Sequence, residues 1–143
     1  MKLYIGCDHA GFDMKEQVKT YLTQKGYTVI DHGCYSAERA DYPDYAHKVA
    51  NSVLGDKNSL GILLCGSGNG INITANKHAG IRSALCWTPE VAGLARQHNN
   101  ANIIALPARF IKYETAIQCL DTFLTSSFEG GRHQDRVNKI DIC

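Results

Sequence analysis

Residues 60–71 read LGILLCGSGNGI. Leu60–Cys65 is apolar throughout, which predicts a strand buried on both faces, as in a parallel sheet covered by helices. It runs straight into Gly66, Gly68 and Gly70, which alternate with Ser67 and Asn69. Upstream, Leu3-Tyr4-Ile5 is a short apolar run ending at Gly6. Met14, Val18, Tyr21 and Leu22 then fall at i, i+4, i+7 and i+8, one face of a helix. Gly26 sits where that helix stops, and Tyr27–Asp31 reads as a second strand. Tyr45, Ala46, Val49, Ala50 and Val53 mark a helix over 42–54. Downstream, a helix should start within the glycine turn and reach about Lys77, followed by a strand over Ile81–Cys86. Thr88-Pro89-Glu90 is a helix start: a cap, a proline at the first helical position and an acid in the first turn. That helix runs to about Gln97, and Ile103–Leu106 is a fifth strand. Tyr113, Ala116, Ile117, Leu120, Phe123 and Leu124 trace a long amphipathic helix, which Gly130-Gly131 breaks ahead of the polar tail RHQDRVNKIDIC.

Strands alternating with helices predict an α/β fold, a Rossmann-like three-layer sandwich on a five-stranded, mostly parallel sheet. The 143 residues suit one domain over 1–143, with a C-terminal tail from about 129 to 143. Net charge is +1, so no bulk field draws the chain to nucleic acid or to a membrane surface. The apolar runs are far too short to span a bilayer. Met1-Lys2 leads directly into LYIGC, with no signal-peptide core. The six cysteines, at 7, 34, 65, 86, 119 and 143, include no CxxC pair. Reduced thiols in a cytoplasmic protein are therefore expected.

In a sheet of this kind ligands bind at the carboxyl ends of the strands. Cys7-Asp8-His9 and CGSGNG both fall there, and His98-Asn99-Asn100 is a third polar cluster, ahead of strand five. The glycine turn is not a Walker loop, since no lysine occurs before Lys77. It is not a dinucleotide fingerprint either, because Ile71 stands where the third glycine belongs and the turn follows the third strand. A phosphatase loop needs an arginine where Ile71 stands, and GxSxG needs glycines at Cys65 and Asn69. What survives is a nest: consecutive backbone N–H groups converging on one point at a helix start, suited to a negative oxygen. Such a nest makes Cys65 a candidate low-pKa nucleophile or base. The competing reading is a small buried hydrophobe at a strand end.

Asp8-His9 shares that sheet edge, and His98 is placed near a helix C-terminus. His32, His47, His78 and His133 have no comparable placement, and with no HxxxH pattern no metal site is expected. Arg132 and Arg136 are four apart, on one face if the tail is helical, and Arg109 follows the fifth strand. Guanidinium forks suit a phosphate monoester. A solvated tail is the plainer reading of the first two.

Taken together, GCDHAGFDMKE near the start, DYPDYA at 41–46, CGSGNGI with ANK at 75–77, RQHNNAN at 96–102 and the tail arginine pair resemble the B-type ribose-5-phosphate isomerases. Their superfamily also holds the galactose-6-phosphate isomerase subunits. The resemblance covers almost the whole chain. It implies interconversion of D-ribose 5-phosphate and D-ribulose 5-phosphate without a metal or organic cofactor. It further implies that Cys65 is the C2 base, since Ile71 stands where a related branch carries a glutamate. By the same resemblance His98 opens the furanose ring, and Ser67 bonds at the reacting end. The amides of Gly66, Ser67, Gly68, Asn69 and Gly70 hold the enediolate oxygens. Asp8, Tyr42 and Asn99 line the sugar site, and His9, Arg109, Arg132 and Arg136 surround the phosphate. The resemblance places the site between two subunits, with His98 and Asn99 coming from the partner, so a homodimer or a dimer of dimers is implied. Rival readings are an isomerase of a 6-phosphohexose or tetrose phosphate, a non-catalytic phosphate-binding module, and a cysteine-dependent hydrolase or redox protein.

Overall fold

The computed structural model describes residues 1–142; Cys143, the last of the six cysteines, lies outside them. Five strands form one sheet: β1 (Lys2–Cys7), β2 (Thr28–Asp31), β3 (Ser59–Cys65), β4 (Ser83–Leu85) and β5 (Ile103–Pro107). Their order is β2-β1-β3-β5-β4, and every pairing is parallel. The mostly parallel sheet expected from the sequence is parallel throughout. A one-turn 3-10 helix, His9–Gly11, leads into α1 (Phe12–Gln24). Then come α2 (Tyr42–Gly55), α3 (Asn69–Ala75), α4 (Pro89–Asn99), α5 (Tyr113–Thr125) and α6 (Arg132–Val137).

The three layers follow from the handedness of the crossovers. A right-handed βαβ connection puts its helix on one face when the chain steps one way along the sheet, and on the other when it steps back. Met14, Val18 and Leu22 of α1, Ala92 and Ala95 of α4, and Ala116, Cys119 and Leu120 of α5 pack with Ile5, Ile62, Leu64 and Leu106 on one face. Ala46, Val49 and Val53 of α2 and Ile71 and Ala75 of α3 pack with Leu63, Cys65, Ile103 and Ala105 on the other. Alternate residues of β3 thus serve opposite cores, and all seven are buried. This is why the run looked uniformly apolar. The chain changes faces between β1 and β3, so the loops leaving them part and open a crevice at their carboxyl ends.

Three element boundaries differ from expectation. The strand expected over Ile81–Cys86 shrinks to Ser83–Leu85, because β4 is an edge strand paired only with Ile103–Ala105 of β5. Its entry is instead held by the Asn102 side chain, whose Oδ1 accepts from Arg82 N–H at 2.8 Å. The third helix stops at Ala75, short of Lys77. The fourth continues to Asn99, past Gln97, and ends where Asn100 turns left-handed at φ +48°. Thr88 does cap it, accepting from Val91 N–H at 3.3 Å.

Candidate active site

The crevice between β1 and β3 is a cavity of about 500 Å³, within the usual range of small-molecule sites. Asp8, His9, Tyr42, Cys65, Gly66, Ser67, Gly70 and Arg109 line it, together with Arg39 and Asp41. Asp8 leaves β1 in extended conformation and caps the following turn, its Oδ1 accepting from Ala10 N–H at 2.9 Å and Gly11 N–H at 3.1 Å. That fixes a buried carboxylate at the strand end. His9 Nδ1 lies 3.1 Å from Ala40 O and 3.2 Å from Ala40 N, which anchors the ring to the loop before α2. Tyr42 opens α2, and its ring lies so close over Gly70 that a Cβ there would collide with it. Arg109 N–H donates to Gly66 O at 3.0 Å, and its guanidinium lies beside Gly66.

The glycine turn carries Cys65 to the floor of this cavity. Gly68 adopts φ +77° immediately before α3, a conformation that turns the backbone N–H groups inward. Asn69, the first residue of α3, donates its own N–H to Ser67 Oγ at 3.2 Å. Burial pushes the Cys65 thiol up, and Asp8 adds to this, while the backbone N–H groups of Ile71, Gly68 and Ser67 favour the thiolate and draw it back. The net direction is upward, which corrects the expectation of a low-pKa cysteine. The nest is present, but Cys65 is 4% exposed, and desolvation outweighs three amide dipoles.

Four of the predicted site residues lie elsewhere. A helix that joins two parallel strands starts at their carboxyl edge and returns to their amino edge. The end of α4, with His98 and Asn99, is therefore at the opposite edge of the sheet from Cys65. A five-residue strand separates the two edges by roughly 17 Å. Asn99 is exposed beside a second cavity, with Asn76, Arg82 and Ser83. Arg132 and Arg136 are exposed on α6, which packs on α4. The tail is helical there, which meets the condition under which the two share a face.

The structure also brings together residues the sequence did not single out. Arg39 adds a second cation at the cavity mouth. Its only sequence signal is its position three residues before Tyr42, within the segment that His9 holds. At the far edge, one ligand atom each of His98, Glu129 and His133 lies within 4.8 Å of the other two. No HxxxH spacing links these three, and His98 lies far from Glu129 and His133 in sequence, so local patterns did not mark them. The five described cysteines are free. No helix among the described residues is long and apolar enough to cross a membrane.

A doubly wound parallel sheet with a polar, cation-rimmed crevice at its switch point defines an α/β protein that binds small anionic ligands. Comparison narrows this: the chain belongs to the ribose/galactose isomerase family, whose model matches residues 3–140. It is 48% identical over 139 residues to ribose-5-phosphate isomerase B of Escherichia coli K12, covering 97% of this chain and 93% of that one. A crystal structure of a ribose 5-phosphate isomerase from Thermotoga maritima superposes with a TM-score of 0.96 at 56% identity, covering 98% of this chain and 97% of that one. Ribose-5-phosphate isomerase B from Mycoplasma genitalium, solved with bound ribulose 5-phosphate, superposes with a TM-score of 0.93 at 42% identity, covering 97% and 93%.

Proposed function

We propose that this chain is an aldose–ketose isomerase that interconverts D-ribose 5-phosphate and D-ribulose 5-phosphate, with Cys65 as the carbon base. The observation that carries this reading is Cys65 in the lining of a cavity that it shares with Gly66, Ser67, Gly70 and Arg109. The reaction moves a proton between adjacent carbons. It needs one base within reach of both, donors for the oxyanion that forms, and little else. In the open-chain aldose, the Cys65 thiolate removes the proton from C2. The electrons pass into an enediolate, whose oxygens accept from the turn amides and Ser67. The same sulfur returns the proton to C1, while the C2 hydroxyl proton passes to O1, giving the ketose. Asp8 and Tyr42 hold the sugar hydroxyls. His9 and Arg109 bind the phosphate, which is remote from the reacting carbons and so serves positioning. Neither step requires a metal or organic cofactor.

The substrate enters as a furanose, so an acid must protonate the ring oxygen while a base takes the anomeric proton. His98 is the proposed group. It lies at the wrong sheet edge to serve its own chain's cavity. We therefore assign it, with Asn99, Arg132 and Arg136, to the cavity of a second copy, in a homodimer or a dimer of dimers. Exposed guanidiniums four apart on α6 are consistent with a phosphate brought by another subunit.

A six-carbon substrate is the second reading, because the family description includes galactose as well as ribose. A coupled isomerase assay across five- and six-carbon aldose phosphates separates the two. Ribose 5-phosphate should give the highest kcat/KM by at least tenfold. A preference for a 6-phosphohexose would overturn the substrate assignment.

A further inference from the structure

The cluster at the far edge of the sheet is built by three separate segments. Glu129 N–H donates to Gln97 O at 3.0 Å, tying the loop after α5 to the last turn of α4. Gly130 and Gly131 then reverse the chain with φ +68° and +55°, and α6 begins. That reversal sets the side chains of Glu129 and His133 beside His98. The two imidazoles stack, with centroids 4.2 Å apart and planes 10° from parallel. Glu129 Oε1 lies 3.8 Å from His98 Nε2 and 3.5 Å from His133 Nε2.

We propose that His98, Glu129 and His133 form a binding site for a divalent cation of the zinc class, and that an ion bound there switches the isomerase off by occupying His98. Zinc bonds to imidazole nitrogen and carboxylate oxygen at about 2.0–2.2 Å, so two ligand atoms of a tetrahedral site lie about 3.4 Å apart. Two of the three separations here are already within a few tenths of that. The stacked rings hold their in-plane lone pairs nearly parallel, so one ion binds both only when His98, the more exposed ring, rotates out of the stack. Two nitrogens and one carboxylate suit zinc, or cobalt as its spectroscopic substitute. Calcium and magnesium favour all-oxygen sets. The side chain of His133 is 9% exposed and gives the site a fixed wall. His98, at 38%, and Glu129, at 51%, leave an entry path and a fourth position for water. Arg132 and Arg136 on the same short helix oppose a cation, so the site fills and empties and is not a permanent structural centre.

Binding stands on this geometry alone. The inhibition rests on the proposed role of His98. An imidazole that ligates a metal can no longer exchange a proton with the sugar ring.

The test uses the full-length protein, reduced and stripped by chelator, titrated with cobalt(II) and zinc(II). Wild type should show one saturable, chelator-reversible site with the visible absorption of tetrahedral cobalt. His133→Asn and the isosteric Glu129→Gln should each weaken it at least tenfold. Equal binding in wild type and both variants would place the metal elsewhere, on thiols or at the exposed His47–His78 pair, and would sink the site. Zinc should lower wild-type turnover of ring-closed substrate, reversibly with chelator, at concentrations that leave His133→Asn at its own metal-free rate. Metal bound at this site with full turnover would overturn the inhibitory link and the role of His98 together, while leaving the site standing. Loss of turnover equal in wild type and His133→Asn would assign inhibition to another group, such as Cys65.

Discussion

Cys65 is where burial and polarity compete most directly. Its position at the end of a strand buried on both faces desolvates the sulfur, and three amide N–H groups only partly compensate. The resting group is therefore a thiol near neutral pH. A reaction that needs the thiolate draws on a fraction that grows tenfold per pH unit below the thiol's pKa. The rate on saturating substrate should accordingly rise with pH through the neutral range and level off only in the alkaline range. A rate flat from pH 6 to 9 would count against a thiolate base. Cys65→Ala should lower kcat by at least about a thousandfold, as loss of the group that moves the proton. The binding of a non-reacting sugar phosphate should stay within a few-fold. Alkylation of Cys65 by iodoacetamide should be slow at pH 7 and accelerate with pH, because the group is buried and its pKa is raised.

Elements hold these residues in place, and two of them make distinct demands. The turn between β3 and α3 requires Gly68 at φ +77°, and a Cβ there would run into the Leu85 side chain and the Pro107 backbone. Gly68→Ala should destabilise the protein by about 1–3 kcal/mol, seen in denaturant melts, and should lower kcat by disturbing the amides around the sulfur. On the other side of β1, Lys15 of α1 is fully buried. Its Nζ lies 2.8 and 2.6 Å from the Asp31 carboxylate oxygens at the end of β2, and Lys19 lies 2.9 Å from the same carboxylate. Burial disfavours the charged form of Asp31. Lys15, Lys19 and the Gly33 N–H outweigh it and hold the carboxyl below its ordinary value. A depressed carboxylate contributes stability that is full above the unfolded pKa, near 4, and is lost as pH falls through the folded value. The chain should thus lose stability below about pH 4. Asp31→Asn should cost roughly 1.5–3 kcal/mol at pH 7, because it leaves the buried Lys15 charge with Glu16, 3.2 Å away, as its remaining carboxylate partner. A loss under 1 kcal/mol would show that water reaches Lys15.

At the scale of the molecule, the cavity and the proposed ring-opening group lie at opposite edges of one sheet. If two copies share sites, each inactive variant carries the half that the other lacks. Mixing Cys65→Ala with His98→Asn, each nearly inactive alone, should restore activity after subunit exchange. In a random mixture half the dimers are hybrid and each holds one intact site, so about a quarter of wild-type activity is expected. No recovery after demonstrated exchange would overturn the shared site.

The order of strands and helices was legible from residue patterns, because burial on both faces leaves β3 uniformly apolar, while α1, α2 and α5 show one apolar stripe each. The turn chemistry at Gly66–Gly70 and the cap at Thr88 were legible too, since local backbone sterics dictate both. The length of β4, the burial of Lys15 and the direction of the Cys65 shift were not. Each depends on what another segment, distant in sequence, places nearby. The sequence by itself determined the alternation of elements, the sheet edge that carries Asp8 and Cys65, and the residue types needed to handle a sugar phosphate. Only the tertiary structure decided which of those residues meet. The return of α4 to the amino edge of the sheet divides Cys65 from His98, and the Gly130-Gly131 reversal joins His98 to Glu129 and His133. Those are consequences of chain direction and chirality, which no local run of residues encodes.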